Sequence, residues 1–207
     1  MSSVMNRYMK IYEERRDEIE RRLREFKGML QKSDDDVFAE LCFCICTPQT
    51  KARAADRAIS AMKEGSLLSR GNESSIASML RKHGVRFPET KAKYIVAARA
   101  YLKLLKSLPS DAFRARGWLV QNIKGLGYKE ASHFLRNVGY EGLAILDRHI
   151  LRGMKEAGII KEVPKSLTKK AYMELEKKLI QFARDLGIKL EVLDLIMWAD
   201  KTGEIFK

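Results

Sequence analysis

Apolar residues recur every three or four positions through most of the chain, and no stretch alternates apolar and polar residues for the length of a strand. Tyr12, Ile19, Leu23, Phe26 and Leu30 form the first such stripe and predict an amphipathic helix over 6–31 with charged remaining faces. Ser33 then reads as a helix cap. Asp34, Asp35 and Asp36 lie at the positive end of a helix over 36–46 that is apolar on most sides and so belongs in the core. Pro48 interrupts the chain, and Thr50 is a candidate cap for a helix reaching Glu64. Residues 65–72 read as a loop. Helices follow over 74–83, 89–107 (led by Pro88) and 109–124, and after a glycine turn over 128–138, closed by Gly139. Asp147 heads the next helix, Pro164 and Lys165 lie in a connector, and 167–186 and 190–200 complete the set. The expectation is an all-α chain acting as a single unit of two helical subdomains. One runs over about 33–110, the other over about 111–207 together with the N-terminal helix, and a cleft lies between them.

Composition narrows the partner. The 207 residues carry 45% hydrophobic side chains, enough for a real core, and a formal net charge of +13. Such an excess favours a polyanion, nucleic acid before an anionic membrane, although a merely basic globular protein would also carry it. No apolar run has transmembrane length and the N-terminus has no signal-peptide core, so an intracellular location is expected. The 3 cysteines are too few and too odd in number for a disulfide framework. Cys42 and Cys46 share a helical face while Cys44 points nearly opposite, poor geometry for one metal, and no downstream cysteine supplies a fourth ligand. They read as small core residues; no metal, iron–sulfur cluster or other cofactor is expected, and no phosphate-binding loop of the nucleotide-hydrolase kind is present.

The most informative segment is Val120-Gln-Asn-Ile-Lys-Gly-Leu-Gly-Tyr-Lys129. Gly125 and Gly127 flank one apolar residue between two helical patterns. Both glycines can take positive φ and leave the backbone bare, and Leu126 can plug the turn from inside. The freed N–H groups and the next helix start then make an anion site suited to a DNA phosphate. Many Gly-x-Gly turns are only turns. Here Lys124 and Lys129 flank the glycines, and the whole chain is basic.

The stretch Asn122-Ile-Lys-Gly-Leu-Gly-Tyr-Lys-Glu-Ala-Ser-His-Phe-Leu-Arg-Asn-Val-Gly139, followed by Ala144-Ile-Leu-Asp-Arg-His-Ile-Leu151, closely resembles the archaeal-type 8-oxoguanine DNA glycosylase/AP lyases of the helix-hairpin-helix glycosylase superfamily. Glu40-Leu-Cys-Phe-Cys-Ile-Cys-Thr47, Arg86-Phe87, Tyr94-Ile-Val96 and the tail from Trp198 through Thr202-Gly203 to Lys207 extend the resemblance over most of the chain. It implies base excision from duplex DNA carrying 8-oxoguanine, nicking by β-elimination, Lys129 as nucleophile and Asp147 as the acidic residue. It also implies that the terminal Lys207 helps distinguish 8-oxoguanine from guanine. The family commonly carries Ala-Asn after the threonine, where this chain has Pro48-Gln49, so the residue that fills the gap left by an extruded base is left open, with Gln49 at that position.

The chemistry suits these residue types. A neutral lysine can attack C1′ and form a Schiff base that permits β-elimination, and a helix start with Lys124 nearby favours the uncharged amine. A plain phosphate-contacting lysine is the simpler alternative. Asp147 alone reads as a helix cap, yet a capping carboxylate can also stabilise an oxocarbenium-like sugar or take a proton from Lys129. 8-Oxoguanine differs from guanine by a C8 oxygen and an N7–H, so an acceptor near N7 is an economical discriminator. Lys207 offers a carbonyl or its carboxylate for that, unless the tail is frayed. Trp198 is a candidate to stack on the extruded base, or a core residue. His133, with Ser132 and Arg136, shares a helical face with Lys129 and is a candidate DNA contact, as is Arg148, with His149 beside it. Two other readings stand beside this one: a glycosylase for another damaged base, and a non-enzymatic helix-hairpin-helix DNA-binding module, which would need neither Lys129 nor Asp147. A monomer is the simple expectation.

Overall fold

The computed structural model describes residues 3–207, all of whose regular structure is helical, with no strand among the described residues. The chain divides into two compact units: one joins the N-terminal residues through Lys27 to Leu135–Lys207, and the other is Gly28–Phe134. The division falls inside one helix, so the hairpin groups with the helices before it.

The Gly28–Phe134 unit is built around α2 (Asp34–Cys46). Its start is a capping box: the Ser33 hydroxyl accepts from the Asp36 N–H, and the Asp36 carboxylate accepts from the Ser33 N–H. Every residue from Val37 to Cys46 is buried, so this helix is a central rod rather than an amphipathic one. Around it lie α3 (Ala52–Glu64), the single turn α4 (Leu67–Arg70), α5 (Glu73–Lys82) and α6 (Pro88–Ala98). A 3-10 stretch (Arg99–Ser107) and α7 (Ala112–Asn122) follow. The three cysteines are fully buried, and burial pushes the Cys42 thiol far up and the Cys46 thiol up to about 12, so both are inert core groups.

The other unit begins with α1 (Ser3–Lys27), which packs Tyr8, Ile19 and Phe26 inward. It continues with α9 (Arg148–Glu156), α10 (Lys169–Asp185) and α11 (Leu190–Thr202). Gly153 permits the close meeting of α9, α1 and α11: a Cβ there would lie 2.5 Å from the Met197 methyl and 2.9 Å from the Tyr8 hydroxyl. α8 (Tyr128–Asn137) contributes its first turns to one unit and its last to the other.

Several boundaries differ from expectation for local reasons. The first helix is kinked at Arg15, whose φ of −121° is not helical and whose guanidinium bonds the Gly203 carbonyl at 3.0 Å. It stops at Lys27 because Gly28 opens a separate 3-10 turn, Met29–Gln31. Thr50 does not cap α3. Lys51 holds that position without a side-chain cap, and the Thr50 hydroxyl instead accepts from the Arg86 N–H and the Lys91 ammonium. α7 begins at Ala112 rather than at Pro109, because the Asp111 carboxylate takes the Arg114 N–H at 2.7 Å. The expected loop 65–72 contains α4, which buries Leu68.

Candidate active site

The hairpin is built as the glycine spacing suggests, with one exception. α7 ends at Ile123, the Leu126 N–H donates back to the Ile123 carbonyl at 3.3 Å, and Ile123 and Leu126 are both buried. Gly125 takes φ +89° and lies against the Tyr94 ring of α6, where a Cβ would fall 2.4 Å from a ring carbon. Gly127, by contrast, does not adopt positive φ. Its requirement is capping: its carbonyl accepts the first bond of α8, from the Ala131 N–H, and its own N–H donates to a Glu130 carboxylate oxygen at 3.2 Å. Lys124, Gly125 and Gly127 are exposed.

Lys129 is half-buried in the first turn of α8, and its ammonium lies 2.9 Å from Glu130. Neighbouring helical residues ordinarily diverge. This pair meets because Glu130, three residues beyond the helix start, bends back to cap Gly127. The remainder of α8 turns inward. Ser132 accepts from the Arg116 guanidinium at 3.1 Å, the His133 ring meets Phe43 edge-on at 5.6 Å, and Arg136 pairs with Asp194 at 3.3 Å while covering the Phe26 ring. All three are buried, so this face of α8 is not the solvated one that its composition suggests. Burial also pushes the Asp194 carboxyl up to about 6, opposed by Arg136.

Asp147 caps α9 with a single oxygen, Oδ1, which accepts from the His149 and Ile150 N–H groups at 2.8 Å each. The segment feeding it, Leu143–Leu146, is irregular and buried and would strand its backbone polar groups. α10 satisfies them: Glu176 accepts from the Ala144 N–H at 2.8 Å, and the Tyr172 hydroxyl donates to the Ala144 carbonyl at 2.6 Å. Asp147 is therefore placed by a braced irregular segment and a helix start. Arg148 is exposed beside it.

The remaining candidates are found at distinct points. Trp198 is half-buried on α11, edge-on to His149 with ring centroids 4.9 Å apart, and its buried indole N–H has no hydrogen-bond partner among the described residues. The tail is anchored rather than frayed: Ile205 and Phe206 are each 4% exposed, which leaves Lys207 partly accessible at the end of a packed segment. Gln49 is exposed at φ +55° on the turn between α2 and α3. That turn is pinned by the buried Lys91, whose ammonium donates to the Cys46 and Pro48 carbonyls at 2.8 Å each. Burial lowers Lys91 to about 8. Sequence reasoning missed Lys91 and Glu130. Nothing local marks Lys91, but the spacing of Glu130 from Gly127, a helix start followed three residues on by Glu, was a readable capping signal.

An all-helical chain with a glycine hairpin delivering a half-buried lysine to a helix start is a helix-hairpin-helix protein. Residues 19–188 match the family described as 8-oxoguanine DNA glycosylase. The 8-oxoguanine DNA glycosylase/AP lyase of Fusobacterium nucleatum is 41% identical, over 100% of this chain and 99% of that protein. The protein of the same description from Methanocaldococcus jannaschii is 42% identical over 93% of each. Among solved structures, the M. jannaschii 8-oxoguanine glycosylase/lyase in complex with 15mer DNA containing 8-oxoguanine superposes with TM-score 0.94 at 37% identity, over 100% of both chains. The Thermotoga maritima 8-oxoguanine DNA glycosylase superposes with TM-score 0.92 at 39% identity, over 98% of each chain. The chain belongs to the 8-oxoguanine DNA glycosylase family. No described helix is long and apolar enough to cross a membrane.

Proposed function

We propose that this chain is a bifunctional DNA glycosylase/AP lyase that removes 8-oxoguanine from duplex DNA and then nicks the strand by β-elimination. The observation that carries this reading is the likeness, over the entire chain, to a glycosylase/lyase solved with DNA containing 8-oxoguanine. The net charge of +13 and the exposed Lys124–Gly127 hairpin favour a phosphate backbone as the grip. The base leaves the stack, because an amine cannot reach C1′ within it. Lys129 attacks C1′, the base departs, and the resulting Schiff base acidifies the 2′ hydrogen so that the 3′ phosphate is eliminated. Asp147, with one oxygen committed to α9, turns its negative charge toward the developing positive sugar. Lys207, held by the buried Ile205 and Phe206, reads the N7–H and C8 oxygen of the lesion, with Trp198 as a stacking partner. Gln49 and Arg148 contact the duplex, and the chain acts as a monomer.

Borohydride reduction of the protein with a duplex containing one 8-oxoguanine tests this. The parent chain gives a covalent protein–DNA adduct and Lys129→Gln gives none, with base release reduced by about 10²-fold or more. An undiminished adduct in Lys129→Gln would assign the nucleophile to another amine. Absence of base release by the parent would leave a DNA-binding module.

A further inference from the structure

An amine presented to C1′ as an ammonium must lose a proton before it can attack, and the acceptor of that proton is open. Asp147 commits one oxygen to two backbone N–H groups at 2.8 Å. Glu130, in contrast, lies 2.9 Å from the Lys129 ammonium, with side chains 13% and 24% exposed respectively, so the pair is partly shielded from water. Its second oxygen holds the Gly127 N–H at 3.2 Å, which fixes the carboxylate above the first turn of α8. One carboxylate thus spans the hairpin and the nucleophile.

The geometry points to Glu130 as the general base that takes the proton from Lys129, leaving Asp147 the electrostatic task. This rests on the reading of Lys129 as nucleophile. One proton moves from Nζ to a Glu130 oxygen, and the lone pair so freed forms the bond to C1′. The electron pair of the C1′–N9 bond leaves with the base, which takes a proton from water, and Glu130 loses its proton to the hydroxide left behind. The nearby charge on α6 is the Lys91 ammonium, which donates to the Cys46 and Pro48 carbonyls and the Thr50 hydroxyl and feels the charges of both Lys129 and Glu130.

Glu130→Gln separates these roles, since a glutamine oxygen can still accept from Gly127 while lacking basicity. Single-turnover excision and borohydride trapping are followed from pH 6 to 9.5 on the 8-oxoguanine duplex, with melting temperature and duplex Kd measured alongside. At neutral pH the expected loss is about 10²-fold in rate with Kd and melting temperature retained, within the range for general-base catalysis. The deficit shrinks as pH rises, because solvent then removes the proton. Glu130→Asp, which keeps a base on a shorter stem, recovers part of the neutral-pH rate. A normal rate for Glu130→Gln, or a deficit that stays constant with pH, overturns the assignment. An adduct formed by Lys129→Gln would instead overturn the reading beneath it, leaving Glu130 without a nucleophile to serve.

Discussion

Two helix starts carry the proposed chemistry, and they are capped in opposite ways. α9 is capped from outside: Asp147 precedes the helix and takes two N–H groups on one oxygen. α8 is capped from within: Glu130 reaches back to Gly127 and on the way meets Lys129. In the first case the functional group is itself the cap, so its orientation is a by-product of helix formation. In the second the functional group is an amine that would be repelled by the positive helix end, and an internal carboxylate holds it there. The α2 start shows what capping looks like with no chemistry attached, a reciprocal Ser33–Asp36 box backed by Lys63. A helix start therefore positions a reactive acid at no extra cost, whereas a reactive amine needs a partner.

The largest test of that contrast is at Asp147. Asparagine caps about as well as aspartate, so Asp147→Asn is expected to lower the excision rate by about 10²-fold or more while leaving the melting temperature near that of the parent. Asp147→Ala loses the same activity and about 1 kcal/mol of stability besides. Single-turnover kinetics and thermal melts of the two variants check this. Near-normal turnover by Asp147→Asn would reduce the residue to a cap.

The next effect separates the two glycines of the hairpin. Gly125→Ala places a Cβ 2.4 Å from the Tyr94 ring at φ +89° and is expected to destabilise by about 2–3 kcal/mol in denaturant unfolding. Gly127→Ala meets only the Glu130 carboxylate, at 3.1 Å and without positive φ, and costs about 1 kcal/mol or less. Equal costs would mean that the conformational difference between them does not persist in solution.

The smallest effect concerns the α2 start. Hydrogen bonds from Lys63 and Ser33 hold the Asp36 carboxyl down to about 2. A carboxyl lowered in the folded state contributes stability above its unfolded value and loses it as pH falls through the folded one. The contribution is about 1–2 kcal/mol, vanishing between about pH 4 and pH 2. Unfolding titrations of the parent should show that decline, and Asp36→Asn should flatten it. An unchanged slope in the variant would place the acid sensitivity elsewhere.

Much of this arrangement was legible from residue order. Ser33 as cap, Leu126 as plug, Gly139 as a positive-φ stop and Asp147 as a helix head all follow from short-range sterics and hydrogen bonding. The inward turn of α8 was not. Ser132, His133 and Arg136 have the composition of a wet surface, and they are buried because Arg116, Phe43, Asp194 and Phe26 arrive from distant parts of the chain to meet them. Thr50 misled for the same reason: its hydroxyl serves Arg86 and Lys91 rather than the helix that follows it.

The amino-acid order by itself determined the run of helices, their punctuation and the hairpin, since periodicity and capping act over a few residues; the pairing of one lysine with one aspartate as candidates for chemistry came from the resemblance to a known family. Only the tertiary structure decided which polar side chains go inside, what braces the segment before Asp147, and that α8 turns its histidine and arginine into the core. Those outcomes depend on partners far away in sequence, whose arrival no local pattern encodes.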